Sequence, residues 1–334
     1  NPYAIGSPEA LALLSAYVNA GNNASGLNFV QTQDIDMSNA GNFEPIGSQP
    51  NSYNPTPFNG TYDGQDHAII GLTVNTESPY AGLFGYMQGG SVRNLTMVNP
   101  NVTANYNSQG AKYAGGIVGN IKPGTIENCN VINPTLNTSS ASGSKYKGAI
   151  CGGFGGGGYC AVTDCYYYTT KNYDVVASNP QLGTISNASR AYTLTLASGI
   201  TTSTAPAFTY GGTDYYAGTI TLGAAPTGWN YAYSVNGSAI SGNTFDISAD
   251  ASVTVTRTPI DYTITYNLGG GTNASGNPAT YTIQSPAITL SAPTRTGYTF
   301  GGWYANSGLT GNQVTTIGGG STGNVELWAK WTPT

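Results

Sequence analysis

At 334 residues, with 10 Lys+Arg against 15 Asp+Glu and a net charge of −5, the chain carries only 7% charged residues. Its many aromatics exclude a disordered chain, and the absence of any Lys/Arg cluster argues against nucleic acid and anionic membrane as partners. No stretch approaches the roughly 20 apolar residues that span a bilayer, and a core rarely grows past roughly 250–300 residues, so two or three domains are expected.

Gly, Asn, Thr, Ser and Tyr fill the polar surface in place of charge, which reads as an all-β chain of short strands and many turns. The first residue is Asn1 rather than Met, as expected of a processed or trimmed chain.

Ser7-Pro8-Glu9 is a helix start, with Ser at the N-cap, Pro in the first turn and an acid near the positive helix end. Leu11, Leu14 and Val18 follow at helical spacing, and Asn19-Ala20-Gly21 ends the helix. From Asn28 to Asn75 come short alternating pieces, each closed by Gly, Asn or Pro.

A motif is then written twice, 34 residues apart. Ala81-Gly82-Leu83-Phe84-Gly85 leads to Val98-Asn99-Pro100, and Gly115-Gly116-Ile117-Val118-Gly119 leads to Ile132-Asn133-Pro134. A looser copy runs from Gly148 to Cys165. Repetition at this period predicts a parallel β-solenoid whose units bury their apolar faces by stacking, with the helix covering the first open coil. Asn-Pro at 99–100, 133–134 and 179–180 marks chain turns.

After Asn187 strict alternation takes over, in Tyr192–Leu196, Thr219–Leu222 and Val253–Thr256, with an Asn236-Gly237 hairpin turn. The expected organisation is a solenoid over 1–187, a small antiparallel β module over 188–258 and a last β module over 259–334.

The first part resembles the GLUG-motif proteins, secreted bacterial β-solenoids. The residues that carry this are Val18-Asn19-Ala20-Gly21, Asp34-Ile35-Asp36, Pro45-Ile46-Gly47, Phe58–Gly64, His67, Gly71-Leu72 and the repeats. The last part resembles the Listeria–Bacteroides repeat of internalin-like surface proteins, through Pro293–Tyr304 and Leu327-Trp328-Ala329-Lys330-Trp331. These resemblances imply a β-grasp-like last module, a location outside the cell or on the outer membrane after signal-peptide removal, and an adhesin-type function. Trp303, Trp328 and Trp331 fall in the repeat's core motif.

Catalysis is not expected. Asp34, Asp36, Asp63 and Asp66 could line a polysaccharide-cleaving face, but the last two sit at expected turns and no basic residue precedes Arg93. His67 is the single histidine, which rules out a His-Glu-x-x-His zinc peptidase, and no Gly-x-Ser-x-Gly elbow accompanies it. Gly152–Gly158 matches a phosphate loop only in glycine content. Cys129, Cys151, Cys160 and Cys165 read as small buried apolar residues, with a disulfide as the alternative and no zinc spacing. No metal and no cofactor are expected.

Aromatics carry the functional hint. On a strand, Tyr166 and Tyr168 share one face and Tyr167 takes the other. Tyr159, Tyr166, Tyr168, Tyr215 and Tyr216 are the candidate ligand-binding residues, as stacking platforms for a host or bacterial surface glycan or protein. A solenoid-face polysaccharide enzyme and a purely architectural spacer are the competing readings.

Overall fold

The structure, a computed structural model, describes residues 1–49 and 54–334. It is nearly all strand, with the helix Pro8–Asn19 and the short 3-10 helix Pro180–Leu182. By contacts it divides into two compact units.

The first unit comprises Asn1–Thr193, Ala205–Gly218 and Ile247–Asp250, and it is a parallel β-solenoid. One face is a seven-stranded parallel sheet from Tyr3–Ile5 through Thr61–Asp63, Gly90–Arg93 and Gly124–Glu127 to Gly183–Ser186. A second runs from Ile35–Asp36 through Ala68–Ile70, Thr96–Val98, Asn130–Ile132 and Tyr166–Tyr168 to Ser189–Arg190. The sequence period is the coil register: Thr96 pairs with Asn130 and Asn101 with Thr135, each 34 residues on.

The corners explain the motif. Asn94, Asn128, Asp164 and Asn187 all have left-handed backbone (φ 46 to 53°), which Asn and Asp tolerate better than other side chains. Asn99, Asn133 and Asn179, each followed by a proline, do the same, so the chain bends there through left-handed rather than extended backbone. Gly115 and Gly148 pair across coils, and a Cβ on either would lie 1.9 Å from a carbonyl oxygen, so only glycine fits that bend.

The interior is one continuous apolar stack, with Phe29, Phe58 and Phe84 at successive ring distances of 6.1 and 4.9 Å. The helix closes its end: Ser7 Oγ accepts from Ala10 N at 3.2 Å, and Leu11, Leu14 and Val18 join the core. Ser15 Oγ donates to the Glu44 carbonyl at 2.7 Å, tying the helix to the chain beneath it.

Ala68, Val98 and Ile132 point outward from the second sheet, and Phe208 and Tyr215 of a hairpin (Phe208–Tyr210, Thr213–Tyr216) cover them. Tyr192 and Thr193 pair with Tyr216 and Tyr215, which holds the hairpin against that face.

The second unit comprises Leu194–Thr204, Thr219–Asp246 and Ala251–Thr334. Trp229–Val235 runs antiparallel to Ala251–Pro259, and Asn236-Gly237 turns with positive φ at both residues (49° and 81°). Further on, Tyr262–Asn267 lies parallel to Val325–Pro333, which is antiparallel to Tyr298–Tyr304. Parallel first and last strands in a small mixed sheet give a β-grasp-like arrangement. Trp303 is 2% exposed and donates Nε1–H to the Ser291 carbonyl at 3.1 Å. Trp331 is half-buried and donates to the Leu268 carbonyl at 2.8 Å.

Candidate binding surfaces on the solenoid

Strand alternation sends Ala81 and Ala114 into the core, so their neighbours Tyr80 and Tyr113 face outward. Tyr113 is in register with Tyr80 on one side and Tyr146 on the other. Ring centroids are 5.3 Å apart for Tyr80–Tyr113 and 5.0 Å for Tyr113–Tyr146, and Tyr86 stacks on Tyr80 at 5.4 Å. The result is a half-buried tyrosine strip crossing three coils. Burial, with the neighbouring Tyr113, Tyr86 and Tyr106 hydroxyls, pushes the Tyr80 phenol up to about 12. Burial also pushes Tyr113 and Tyr86 up. Tyr80, Tyr86 and Tyr113 therefore stay neutral at ordinary pH, and the strip offers apolar ring faces with polar tips. Sequence reasoning missed it, although the constant 33-residue spacing of Tyr80, Tyr113 and Tyr146 is visible.

The residues singled out from sequence fall differently. Tyr159 is 64% exposed. Tyr166 and Tyr168 lie on the outer face and Tyr167 is buried, as alternation predicts. Tyr166 donates its hydroxyl to Asn187 Oδ1 at 2.7 Å. Tyr168 donates to Asp250 Oδ2 at 3.1 Å and packs on Tyr215 at 5.0 Å. Tyr215 and Tyr216 are each 8% exposed, within the packing of the hairpin on the solenoid. The structure does not gather the five into one surface: Tyr166 alone lines the nearby cleft described next.

At one corner of the coils runs a ladder of side-chain amides. Asn94 Nδ2 donates to Asp63 Oδ1 at 2.9 Å, Asn128 Nδ2 to Asn94 Oδ1 at 2.9 Å, and Asn187 Nδ2 to Asp164 Oδ1 at 2.5 Å. At its foot, burial works against the Asp63 charge. Hydrogen bonds from Asn94 and Gln65, and Arg93 Nε at 3.0 Å, outweigh that and hold the carboxyl below its usual range. The upper rungs, Asn128, Asp164 and Asn187, line a cleft of about 580 Å³ together with Tyr166 and the Ala205–Ala207 and Ala217–Gly218 rim of the hairpin.

The acidic residues weighed as catalysts serve local structure. Asp34 Oδ1 accepts from Ala68 N at 2.8 Å and lies 3.4 Å from His67 Nδ1. Asp36 Oδ1 accepts from Ser38 N at 2.9 Å. Asp66 sits in a turn at φ 62°. All four cysteines are free and fully buried, and burial pushes the Cys129, Cys151 and Cys160 thiols up. Among the described residues no group of three or more His, Cys, Asp or Glu could hold a metal, and no helix is long and apolar enough to cross a membrane.

Known proteins bear on the second unit most directly. The Listeria–Bacteroides repeat family matches residues 262–330. Over that segment the chain is similar to a Listeria–Bacteroides repeat domain. Its strands are the β-grasp-like sheet above, with Trp303 at the centre of its core. Halomucin of Haloquadratum walsbyi (strain DSM 16790 / HBSQ001) is 35% identical over 113 residues, which is 31% of this chain and 1% of that protein. The chain thus spans about 1% of the length of that relative. A crystal structure from Bacteroides ovatus, provisionally described as an immunoglobulin A1 protease, is 16% identical, covering 65% of this chain and 83% of the other, with a TM-score of 0.33.

Proposed function

We propose that the chain is part of a bacterial cell-surface or secreted protein of the adhesin type, which binds a host or microbial glycan or protein through the solenoid without catalysing a reaction. The observation that carries this is the tyrosine strip Tyr80–Tyr113–Tyr146, an outward, neutral, ordered aromatic surface of the kind that stacks on sugar rings or apolar protein groups. The repeat domain at 262–330 supports a surface location, because the resemblance ties it to internalin-like proteins. The resemblance of the first 170 or so residues to GLUG-motif solenoids points the same way. The non-catalytic reading is supported by the engagement of Asp34, Asp36 and Asp63 in backbone and ion-pair contacts.

The test is a combined glycan and matrix-protein array with the purified chain, assaying the supernatant for released sugar. Selective binding, lost at least tenfold in Tyr113→Ala and changed less than about twofold between roughly 0.15 and 1 M NaCl, is expected of a weakly charged aromatic surface. Release of reducing ends would revive an enzyme. Silence on both counts would leave a structural spacer.

A further inference from the structure

The amide ladder is interrupted at Asp164. Asn94 shows what a complete rung does: it donates its amide to the rung below and accepts from the rung above. Asn128 donates to Asn94, and the strand register of Glu127 with Thr163 puts Asp164 directly above it. A carboxylate has no proton to donate, so Asn128 Oδ1 receives no side-chain bond from that rung. Asp164 in turn accepts from Asn187 through Oδ1, so its second oxygen has no ladder partner, as Asn128 Oδ1 has none on the adjacent coil. Two adjacent rungs thus both present acceptors where every other described step of the ladder has a donor and an acceptor.

Backbone geometry does not ask for this. Asp164 has φ 50°, and its neighbours in the ladder hold the same conformation as asparagine. The interruption also falls inside the cleft, where one rim is apolar (Ala205, Pro206 and Ala207) and Tyr166 is a half-buried wall. We propose that this cleft is a carbohydrate subsite in which Asp164 and Asn128 Oδ1 accept hydrogen bonds from two adjacent hydroxyls of a neutral sugar, while the sugar's apolar face rests on Tyr166 and the alanine–proline rim. A vicinal diol supplies two donors to two neighbouring acceptors, one of them charged, which strengthens the bonds. A lone exposed carboxylate would hold an ammonium group only weakly. The proposal rests on the reading of the solenoid as a binding surface and adds a second site to the tyrosine strip.

The ladder makes the test two-sided. In Asp164→Asn the new amide can donate to Asn128 Oδ1 while its oxygen still accepts from Asn187, so the ladder is completed as the sugar site is removed. The wild-type chain and this variant are titrated calorimetrically with methyl α-D-mannopyranoside and methyl β-D-galactopyranoside, and their melting temperatures compared. Expected are binding of at least one glycoside by wild type, a loss of at least tenfold in the variant, and a rise in Tm of about 2–4 °C from the added hydrogen bond. Unchanged affinity in Asp164→Asn, or no binding of either glycoside by wild type, overturns the subsite. An unchanged or lower Tm overturns the interrupted ladder whatever the sugars do. If the glycoside affinity is unchanged in Asp164→Asn while array binding fails in Tyr113→Ala, the subsite falls and the adhesin reading stands.

Discussion

The Lys112 ammonium donates to the Ser142 carbonyl at 2.6 Å, joining two neighbouring coils of the solenoid. It also donates to the carbonyls of Ser108 and Gly110, each at 2.9 Å, and the side chain is fully buried. Three neutral acceptors take all three of its protons and stand in for a carboxylate.

Replacing Lys112 with Met keeps the apolar stem and orphans the three carbonyls. A loss of about 1–3 kcal/mol is expected, limited by water reaching the exposed loops. Chemical denaturation of Lys112→Met checks it, and stability equal to wild type would show that the cage contributes nothing.

Asn133 has φ 50° and donates its backbone N–H to the Tyr168 carbonyl at 2.7 Å, as Gly71 does to Val98 at 2.8 Å. Asn133→Ala is expected to cost about 1–2 kcal/mol, because a Cβ-bearing residue without a local polar group resists this conformation. Asn133→Gly should lie within about 0.5 kcal/mol of wild type, since glycine (Gly71) occupies the same position two coils earlier.

Tyr80 is raised from its ordinary value near 10 to about 12, chiefly by burial. The unfolded chain therefore releases this proton first as pH rises. The stability tied to the neutral phenol is complete below about pH 10 and is lost as pH climbs through about 12. Tyr80→Phe should move the alkaline unfolding midpoint upward, and circular dichroism against pH reads this. An identical midpoint would place the alkaline transition elsewhere.

Burial also protects the thiols. Cys129, Cys151, Cys160 and Cys165 are each 0% exposed, so a thiol reagent should label none rapidly in the folded chain and all four after unfolding. Rapid labelling of any one at neutral pH would mean that its coil opens locally.

Much of the solenoid was legible because its corners are chemically narrow. Glycine at 115 and 148 and asparagine at 99, 133 and 179 answer to single backbone demands, and the Ser7 cap and the Asn236-Gly237 turn do likewise. The Listeria–Bacteroides repeat was legible through its tryptophan motif. The tyrosine strip was harder. Register slips by one residue inside the corner, from 33 between Tyr80 and Tyr113 to 34 between Phe84 and Val118, so the strip falls out of phase with the glycine motif. Local aromatic density pointed instead to Tyr215 and Tyr216, whose burial depends on long-range pairing with Thr193 and Tyr192. The Asp164 position was obscured by the extra glycines between Cys151 and Cys165, which lengthen that coil to a spacing of 36 between Glu127 and Thr163.

That variation in spacing governs how such a chain can change in length. Residues added at a corner leave both flanking strands on their partners, as the glycine-rich stretch 155–158 does. A residue added within a strand would turn every later side chain of that strand to the opposite face. The tyrosine strip and the amide ladder can therefore be prolonged only by a further whole coil, each adding one tyrosine and one rung.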